Sequence, residues 1–334
     1  MTPLETWLDN RGGKAFQCRL AWSRWIADFP NGLQKLASQL IWPRRLKHER
    51  YLPPEITLDA KSNGQWTILK NSNPLAKSKA LRELIPPIAS STSIIATGPS
   101  ALEYSWGNLG NCRRFLIAVN GAPTMLKNFG VVPDLLVVTD REFARTGFQH
   151  LEVAPGVPLA IEFLAAAALA SVAPQLLTER PFAIIERVNM WHALPMLDDA
   201  TIKDLNEASG KPFSFPERKD TKCRVGWSHR PDLGIFSGRT VVFGALQIAI
   251  GLGATDVEII GMDLNGAGRA YDEGNKQRPT QLQQHYQEFI LPSFEVMSRV
   301  LAGSNVRVRN ISPVCPLPDD FFTGLSQSNR REIL

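Results

Sequence analysis

Residues 236–264 read FSGRTVVFGALQIAIGLGATDVEIIGMDL, and this stretch decides the fold class. A Ser-Gly turn leads into Thr240–Leu252, an almost wholly apolar run that predicts a buried helix. Two glycines end that run, and the Val and Ile residues of Val257–Gly261 predict a strand buried on both faces. Asp263 follows the strand directly. A helix that feeds such a strand is the repeating unit of a parallel α/β sheet.

Six further apolar runs of the same character lie along the chain. They are Ser93–Ala96, Phe115–Val119, Leu135–Thr139, Leu159–Phe163, Phe182–Val188 and Val306–Ile311. Ala165–Leu177 and Gln281–Leu301 have helical character between them. Strands that alternate with helices predict an α/β fold with a doubly wound, mostly parallel sheet and right-handed crossovers.

The rest of the chain predicts an appendage before this domain. We expect a basic, Trp-rich helical segment at 1–54, followed by a hairpin and a linker at 55–90, where Asn63-Gly64 is a strong turn signal. The α/β domain spans 91–322. Within it, the irregular excursion at 205–232 is expected to form a lid, and 323–334 is a tail.

Composition and charge exclude several classes of protein. The 334 residues are 44% hydrophobic and 21% charged, as in an ordinary folded protein. Residues 1–50 hold nine Lys or Arg and four acids, so they carry the whole net charge of +5, and nucleic-acid binding by the neutral remainder is not expected. The four cysteines are scattered, which predicts neither a zinc site nor a disulfide framework. Without an apolar signal-peptide core or a run of about 20 apolar residues, we expect a cytoplasmic protein.

The N-terminal segment has two interpretations. Basic residues interleaved with tryptophan are typical of a helix at an anionic membrane surface. A helical appendage whose tryptophans pack on the domain has the same pattern and is the simpler of the two. The residues concerned are Trp7, Trp22, Trp25 and Trp42, with Leu33, Leu36 and Leu40 at helical spacing.

Polar turns stand where strands are predicted to end. Because the carboxyl ends of parallel strands share one edge of a sheet, these turns predict a ligand site there. Backbone N–H groups at a helix start near Ala101 would cradle a phosphate. Each turn also has a structural interpretation: an ordinary turn, an Asn with positive φ, or a helix N-cap at Asp140. The turns are Thr97-Gly98-Pro99-Ser100, Asn120-Gly121, Thr139-Asp140, Ser237-Gly238 and Asp263.

The ordered set GPS (98–100), VNGA (119–122), FSG (236–238) and EIIGMDL (258–264) resembles the bacterial sialyltransferases of glycosyltransferase family 42 and the lipopolysaccharide-core Kdo transferases. The likeness spans about Thr92–Phe322. It implies a GT-A-like variant of the α/β fold and a CMP-sugar donor, with no metal or other cofactor required. The piece PDLLVVTD (133–140) is similar, more distantly, to flagellin-accessory proteins and pterin diphosphokinases.

The family resemblance implies specific roles. Tyr271 would donate a hydrogen bond to the leaving phosphate, and His285, at nearly the family spacing from Cys315-Pro316, would be the general base. From the residues alone, an exposed helix histidine remains the simpler interpretation of His285. The expected nucleotide-sugar-binding residues are Thr97, Gly98, Pro99, Ser100, Asn120, Gly121, Asp140, Ser237, Gly238, Asp263 and Asn265.

Three positions depart from the family pattern. The family has Asn at Thr97, Arg at Gly234 and Tyr at Asn265. The missing Arg and Tyr make sialic acid less certain as the sugar. Arg239 or Arg230 would have to supply a replacement cation.

These observations predict an inverting glycosyltransferase that moves a Kdo or sialic-acid-type sugar from CMP to a lipopolysaccharide or other surface glycan. It would be cytoplasmic and peripheral to the inner membrane, bound to anionic lipid through residues 1–50. One alternative is an ATP-dependent pterin diphosphokinase with Asp140 and Asp263 as Mg²⁺ ligands. Another is a non-catalytic accessory protein that binds a nucleotide sugar.

Overall fold

The core of the chain is a seven-stranded sheet. The computed structural model describes residues 1–9, 44–60, 63–88, 91–107, 114–216, 224–266, 268–271 and 282–322. The sheet order is β12-β11-β4-β5-β6-β7-β8, and every neighbouring pair is parallel. The strands are β4 (Ser91–Ile95), β5 (Phe115–Val119), β6 (Leu135–Val138), β7 (Leu159–Glu162), β8 (Phe182–Ile185), β11 (Asp256–Ile260) and β12 (Arg307–Asn310).

All seven predicted strands are present, and the predicted α/β class is confirmed. The apolar runs form strands because they are buried on both faces: all four residues of β6, β7 and β8 are buried. Several strands end earlier than predicted. Phe163, for example, begins a helix because the side chain of Glu162 caps it, accepting from the N–H groups of Leu164 and Ala165.

Helices cover both faces of the sheet. The α-helices are α1 (Pro3–Asp9), α2 (Leu81–Leu84), α3 (Ala122–Lys127), α4 (Arg141–Thr146), α5 (Gln149–Glu152), α6 (Phe163–Val172), α7 (Gln175–Thr178), α8 (Asp199–Ala208), α9 (Val241–Gly251), α10 (Leu282–His285) and α11 (Leu291–Leu301). A π-helical turn, Tyr286–Ile290, joins α10 to α11. Shorter 3-10 helices are Arg44–Tyr51, Pro99–Glu103 and Asp319–Phe321. The predicted helix Ala165–Leu177 is two helices, α6 and α7, because Pro174 cannot continue the first.

The sheet has a topological switch point between β4 and β11. From β4 the chain adds β5 to β8 on one side, and it then returns to add β11 and β12 on the other. Asp256–Ile260 of β11 runs in register beside Ser91–Ile95 of β4. The connections leave in opposite directions at this point, so a crevice opens at the carboxyl ends of the two strands, where ligands of open α/β sheets bind.

Part of the expected hairpin-and-linker region 55–90 is a third strand. β1 (Ile56–Ala60) and β2 (Trp66–Lys70) form the predicted hairpin, and β3 (Asn73–Lys77) pairs antiparallel with β2. Its residues are exposed or half-buried, so its polar sequence does not read as a strand. The opposite face of this small sheet packs in the same apolar cluster as α6, so it shares the core of the domain.

The expected lid at 205–232 has regular secondary structure in the part that the structure describes. It begins as the end of α8 and continues as a two-stranded hairpin, β9 (Phe213–Ser214) with β10 (Trp227–Ser228). Phe213 and Trp227 are 2% and 1% exposed and lie in the main core. Burying two large aromatic side chains ties this hairpin to the domain. Residues 217–223 lie outside the described part.

The described ends of the N-terminal segment pack on the domain. Leu4 and Leu8 of α1 are buried, and the ring of Trp7 meets Trp191 edge-on at 5.3 Å. Residues 10–43 lie outside the described residues, and with them the other tryptophans and leucines on which the membrane-helix interpretation rests, as does the predicted tail. In the described part of the chain, no helix is both long and apolar enough to cross a membrane.

Candidate active site

Ser100 and Asp263 join the two strands that flank the switch point. The backbone N–H of Ser100 donates to Oδ2 of Asp263 at 3.0 Å, and the Ser100 hydroxyl donates to Oδ1. The hydroxyl also lies 3.2 Å from the hydroxyl of Ser312, which follows β12. Asp263 is 4% exposed. Ser100 and Asp263 therefore both lie at the crevice. Their hydrogen bonds are to each other, and these bonds hold the loop that carries Ser100 in place.

The turn at Gly98 depends on the absence of a side chain. A Cβ at Gly98 would stand 2.5 Å from both Oδ2 of Asp263 and the carbonyl oxygen of Gly261, and the Gly98 N–H donates to that same carbonyl at 2.8 Å. The helix expected from Ala101 is instead the five-residue 3-10 helix with Pro99 in its first turn. A helix this short has a small dipole. The loop therefore does not offer a phosphate the N-terminus of a long helix.

A second part of the crevice is formed by Asn120, Gly121 and Tyr271. Asn120 has a left-handed backbone (φ 47°), as an Asn after a strand tolerates, and its Oδ1 is buried without a hydrogen-bond partner among the described residues. Tyr271 lies directly on Gly121, where a Cβ would be 2.6 Å from the Tyr271 hydroxyl oxygen. The N–H of Ala270 donates to the carbonyl of Thr97 at 2.8 Å, which links this segment to the Gly98 turn.

The ring of His150, which was not among the predicted site residues, also packs against Tyr271. Its ring centroid is 4.5 Å from that of Tyr271, and its Nδ1 lies 2.9 Å from Oγ1 of Thr124 on α3. Phe143 stacks near the ring at 6.1 Å. These contacts come from three separate helices, so no local sequence motif signals them.

Asp140 is a helix N-cap, which was the structural alternative to a ligand-binding role for this residue. It is exposed, and its Oδ1 accepts from the N–H of Glu142 at 2.8 Å as the N-cap of α4. Over the described residues, no group of three or more His, Cys, Asp or Glu side chains could hold a metal ion. The two acids expected as Mg²⁺ ligands, Asp140 and Asp263, both accept hydrogen bonds from backbone N–H groups.

The Ser237-Gly238 turn lies just before α9. Ser237 is half-buried, and its carbonyl accepts from Thr240 at 3.1 Å. Gly238 has φ 49°, and a Cβ there would be 2.6 Å from the ring of Phe243, so the turn needs glycine. Arg239 also has a positive φ, 55°, and its guanidinium carbon is 4.9 Å from the centre of the Phe289 ring.

His285 is beside Arg239 at the junction of α10 and the π-helical turn. Its ring meets Phe289 at 5.8 Å, so His285 and Arg239 contact the same aromatic ring. Burial lowers the pKa of His285, the positive charge of Arg239 lowers it further, and Glu288 opposes both effects. The lowered pKa favours the neutral form of the imidazole at neutral pH. Single π-helical turns occur frequently at functional sites.

Two hydrogen bonds connect this helical region to the segments that follow β11 and β12. Nε2 of Gln283 donates to the carbonyl of Asn265 at 3.2 Å, which ties α10 to the loop after β11. The Tyr286 hydroxyl donates to the carbonyl of Pro316 at 2.8 Å. Asn265 is therefore near the site, with an exposed side chain.

Of the two replacement cations, only Arg239 is at this edge of the sheet. Arg230 forms ion pairs with Asp232 at 2.7 Å and Glu5 at 3.4 Å, beside α1. A side chain at Gly234 would press on Trp191 and Val188, and Gly234 itself has φ 137°. Any side chain at this position would therefore be strained, and an arginine would be disfavoured there.

No protein-family model matches the chain, and no curated protein sequence matches it. Solved structures similar to it are a glycosyltransferase and bacterial sialyltransferases. The MAf glycosyltransferase from Magnetospirillum magneticum AMB-1 is 13% identical with a TM-score of 0.40, over 70% of this chain and 34% of that one. This chain therefore spans about a third of the length of that protein.

Two sialyltransferases from Campylobacter jejuni are covered over most of their length. CstII, solved with the substrate analogue CMP-3FNeuAc, is 13% identical with a TM-score of 0.34, over 70% of this chain and 89% of that one. The monofunctional alpha-2,3-sialyltransferase Cst-I is 10% identical with a TM-score of 0.36, over 71% and 83%. At these identities and TM-scores, the likeness assigns no activity to this chain.

Proposed function

We propose that the protein is an inverting glycosyltransferase whose donor is a CMP-activated sugar of the Kdo or sialic acid type. The observation that carries this is Tyr271 lying on Gly121, next in the chain to Asn120, whose buried Oδ1 has no hydrogen-bond partner within the described residues. A phenol can donate to a phosphate, and an amide oxygen can accept from a base or ribose. Both residues lie on segments at the carboxyl-end edge of the sheet, where ligands of open α/β sheets bind. The order of the GPS, VNGA and FSG turns supports cytidine as the nucleoside.

The reaction needs two groups. An acceptor hydroxyl attacks the anomeric carbon while the bond from that carbon to the CMP phosphate oxygen breaks, and the bonding electrons leave with the phosphate. His285, held neutral by burial and by Arg239, accepts the hydroxyl proton. Tyr271 donates a hydrogen bond to the phosphate as its charge develops.

The acceptor we propose is a lipopolysaccharide or another surface glycan at the membrane. The support is the excess positive charge of residues 1–50 with its tryptophans, which suits an anionic lipid surface. Such a peripheral enzyme would meet a lipid-linked acceptor at that surface.

A nucleotide screen tests the donor. We expect CMP to raise the melting temperature of the full chain more than CDP, UDP, GDP or ATP, because a ligand at 100 times its dissociation constant adds about 2.7 kcal/mol of stability. Asn120→Gly removes the acceptor while suiting the positive φ, and it should abolish the CMP effect. Asn71→Gly, at an exposed asparagine that also has a positive φ (50°), is the matched control. Stabilisation by ATP or GDP without CMP would remove the proposal.

A further inference from the structure

The 3-10 helix Arg44–Tyr51 lies along the carboxyl ends of β6 to β8. At its last residue, the ring of Tyr51 contacts the guanidinium of Arg141, which begins α4 directly after β6. One turn earlier, Oε1 of Glu49 accepts from the N–H of Ala193, in the loop that follows β8, at 2.8 Å. The two contacts fix the end of the N-terminal segment on this edge of the sheet.

The crevice opens on the same edge. Asn120, at the end of β5, donates its backbone N–H to the carbonyl of Val137 on β6 at 3.1 Å. Arg141 follows four residues later, so the strand before it is the direct neighbour of the strand that carries Asn120. Neighbouring strands are only about 4.8 Å apart. The 3-10 helix is therefore on the side of the domain from which ligands enter the crevice.

One side of this helix is buried and another carries cations. His48 and Glu49 are 3% and 1% exposed, and they face the domain. Lys47 and Tyr51 are exposed, and Arg50 is half-buried. Residues three apart eclipse each other in a 3-10 helix, so Lys47 and Arg50 are on the same side.

Two guanidinium groups meet at the ring of Tyr51. The guanidinium carbons of Arg50 and Arg141 are each 4.6 Å from the ring centre, Arg50 also donates to the Tyr51 hydroxyl, and among the described residues neither group has a carboxylate partner. The nearest acids in sequence compete little for Arg141: Asp140 caps α4, and Glu142 is in an ion pair within α4 at 2.5 Å. With the lysine of the same helix, positive charge is in excess here.

We infer that Lys47, Arg50, Tyr51 and Arg141 form a basic surface that binds the phosphate headgroups of an anionic bilayer and turns the crevice towards it. Guanidinium groups match phosphate oxygens, each Lys or Arg near an anionic bilayer adds to the attraction, and tyrosine suits the boundary of lipid and water. This rests on the proposed function and deepens it, because a lipid-linked acceptor would then be held where the crevice opens. Arg141 belongs to the α/β domain, so the basic surface is not a property of residues 1–50 alone.

The test measures the partition of the full chain onto vesicles by sedimentation at low salt. The vesicles contain phosphatidylcholine either alone or mixed with phosphatidylglycerol. Arg141→Gln is compared with Arg299→Gln, which removes the same charge from an exposed position near the end of α11, the helix that leads back to the start of β12 at the opposite edge of the sheet. Arg141→Lys keeps the charge and should partition like the wild type.

A second measurement separates membrane contact from substrate contact. KM is determined for one acceptor glycan presented on phosphatidylglycerol vesicles and for the same glycan free in solution. Arg141→Gln should raise KM for the vesicle-bound acceptor and leave KM for the free glycan unchanged. An equal rise for both would place Arg141 in an acceptor site and overturn the membrane assignment.

Loss of one cation should weaken partition onto the phosphatidylglycerol vesicles about fivefold, with no effect on phosphatidylcholine alone. If Arg141→Gln partitions like Arg299→Gln, the inference is overturned, whether or not the protein transfers a sugar. If the wild type transfers no sugar and binds no CMP, but its partition depends on Arg141, the basic surface stands and the proposed function fails.

Discussion

Asp263 accepts two hydrogen bonds from Ser100, one from its backbone N–H and one from its hydroxyl, across the switch point between β4 and β11. The bonds run between residues 163 positions apart, at the ends of two adjacent parallel strands. They fix the loop that carries Gly98 against the strand that carries Asp263. The crevice at this edge is therefore shaped before any ligand arrives.

Asp263→Asn should weaken the pair of hydrogen bonds between Ser100 and Asp263. The amide can place its NH₂ group against the Ser100 donors, leaving buried donors face to face at a cost of about 1–3 kcal/mol in the free energy of unfolding. Urea denaturation measures this, with Asp204→Asn, at an exposed position on α8, as the control. Equal unfolding midpoints for the two variants would show that the Ser100–Asp263 hydrogen bonds contribute little to the stability of the protein.

Gly121 should be as demanding as Gly98. A Cβ there collides with the Tyr271 ring, so Gly121→Ala should displace Tyr271 and lower both CMP affinity and stability, the latter by about 1–3 kcal/mol as for an overpacked core. Gly107→Ala, where a Cβ meets nothing within 4 Å, is the control.

A double-mutant cycle with Tyr271→Ala isolates the contact. The cost of Gly121→Ala in unfolding free energy should shrink when the ring is already absent. An undiminished cost would mean that another neighbour is responsible.

The strands were predictable because each is a short apolar run buried on both faces, and the position of the crevice followed from where those runs end. β3 could not be predicted in this way. It is an edge strand whose residues are exposed or half-buried, so its polar sequence resembles that of a linker. Nor could the place of His150 against Tyr271 be predicted. It depends on contacts with Tyr271 and Thr124, far along the chain, that no local pattern records.

A buried network joins the N-terminal segment to the domain. Oε1 of Glu49 accepts from the N–H of Ala193 at 2.8 Å and lies 3.0 Å from Nδ1 of His192 and 3.5 Å from Nε2 of His48. His48, Glu49 and His192 are each 4% exposed or less. Such contacts between residues some 143 apart hold the 3-10 helix Arg44–Tyr51 in place.

Glu49→Leu should therefore destabilise the whole domain by about 3 kcal/mol or more, because it leaves buried hydrogen-bonding groups unpaired. Thermal unfolding measures the loss. Glu103→Leu, at an exposed acid, serves as the control. A single transition at a lower temperature is expected; an unchanged melting temperature would contradict an integral role for this segment.

Membrane binding by residues 1–50 is best tested without truncation, because removing Glu49 would disturb the core. Replacing Arg11, Lys14, Arg19 and Arg24 with Gln should weaken partition onto anionic vesicles by about 1 kcal/mol per residue. The wild-type signal should fall as salt rises. Equal partition of the two proteins at low salt, measured by vesicle sedimentation, would leave the segment without this role.

The last prediction concerns the pH dependence of transfer. A base must be neutral to accept a proton, and burial together with the charge of Arg239 lowers the pKa of His285 below its ordinary 6.5. Activity should therefore persist into more acidic solution, with the acid limb of kcat/KM below pH 6.5. Arg239→Gln removes the repulsion and should move that limb to higher pH, whereas Arg239→Lys keeps the charge and should leave it near the wild-type position. His285→Ala should lower turnover roughly 10²- to 10⁴-fold with CMP binding retained. A His285→Ala protein with the wild-type rate and pH profile would exclude this histidine as the base, and the nucleotide-binding crevice would then need another.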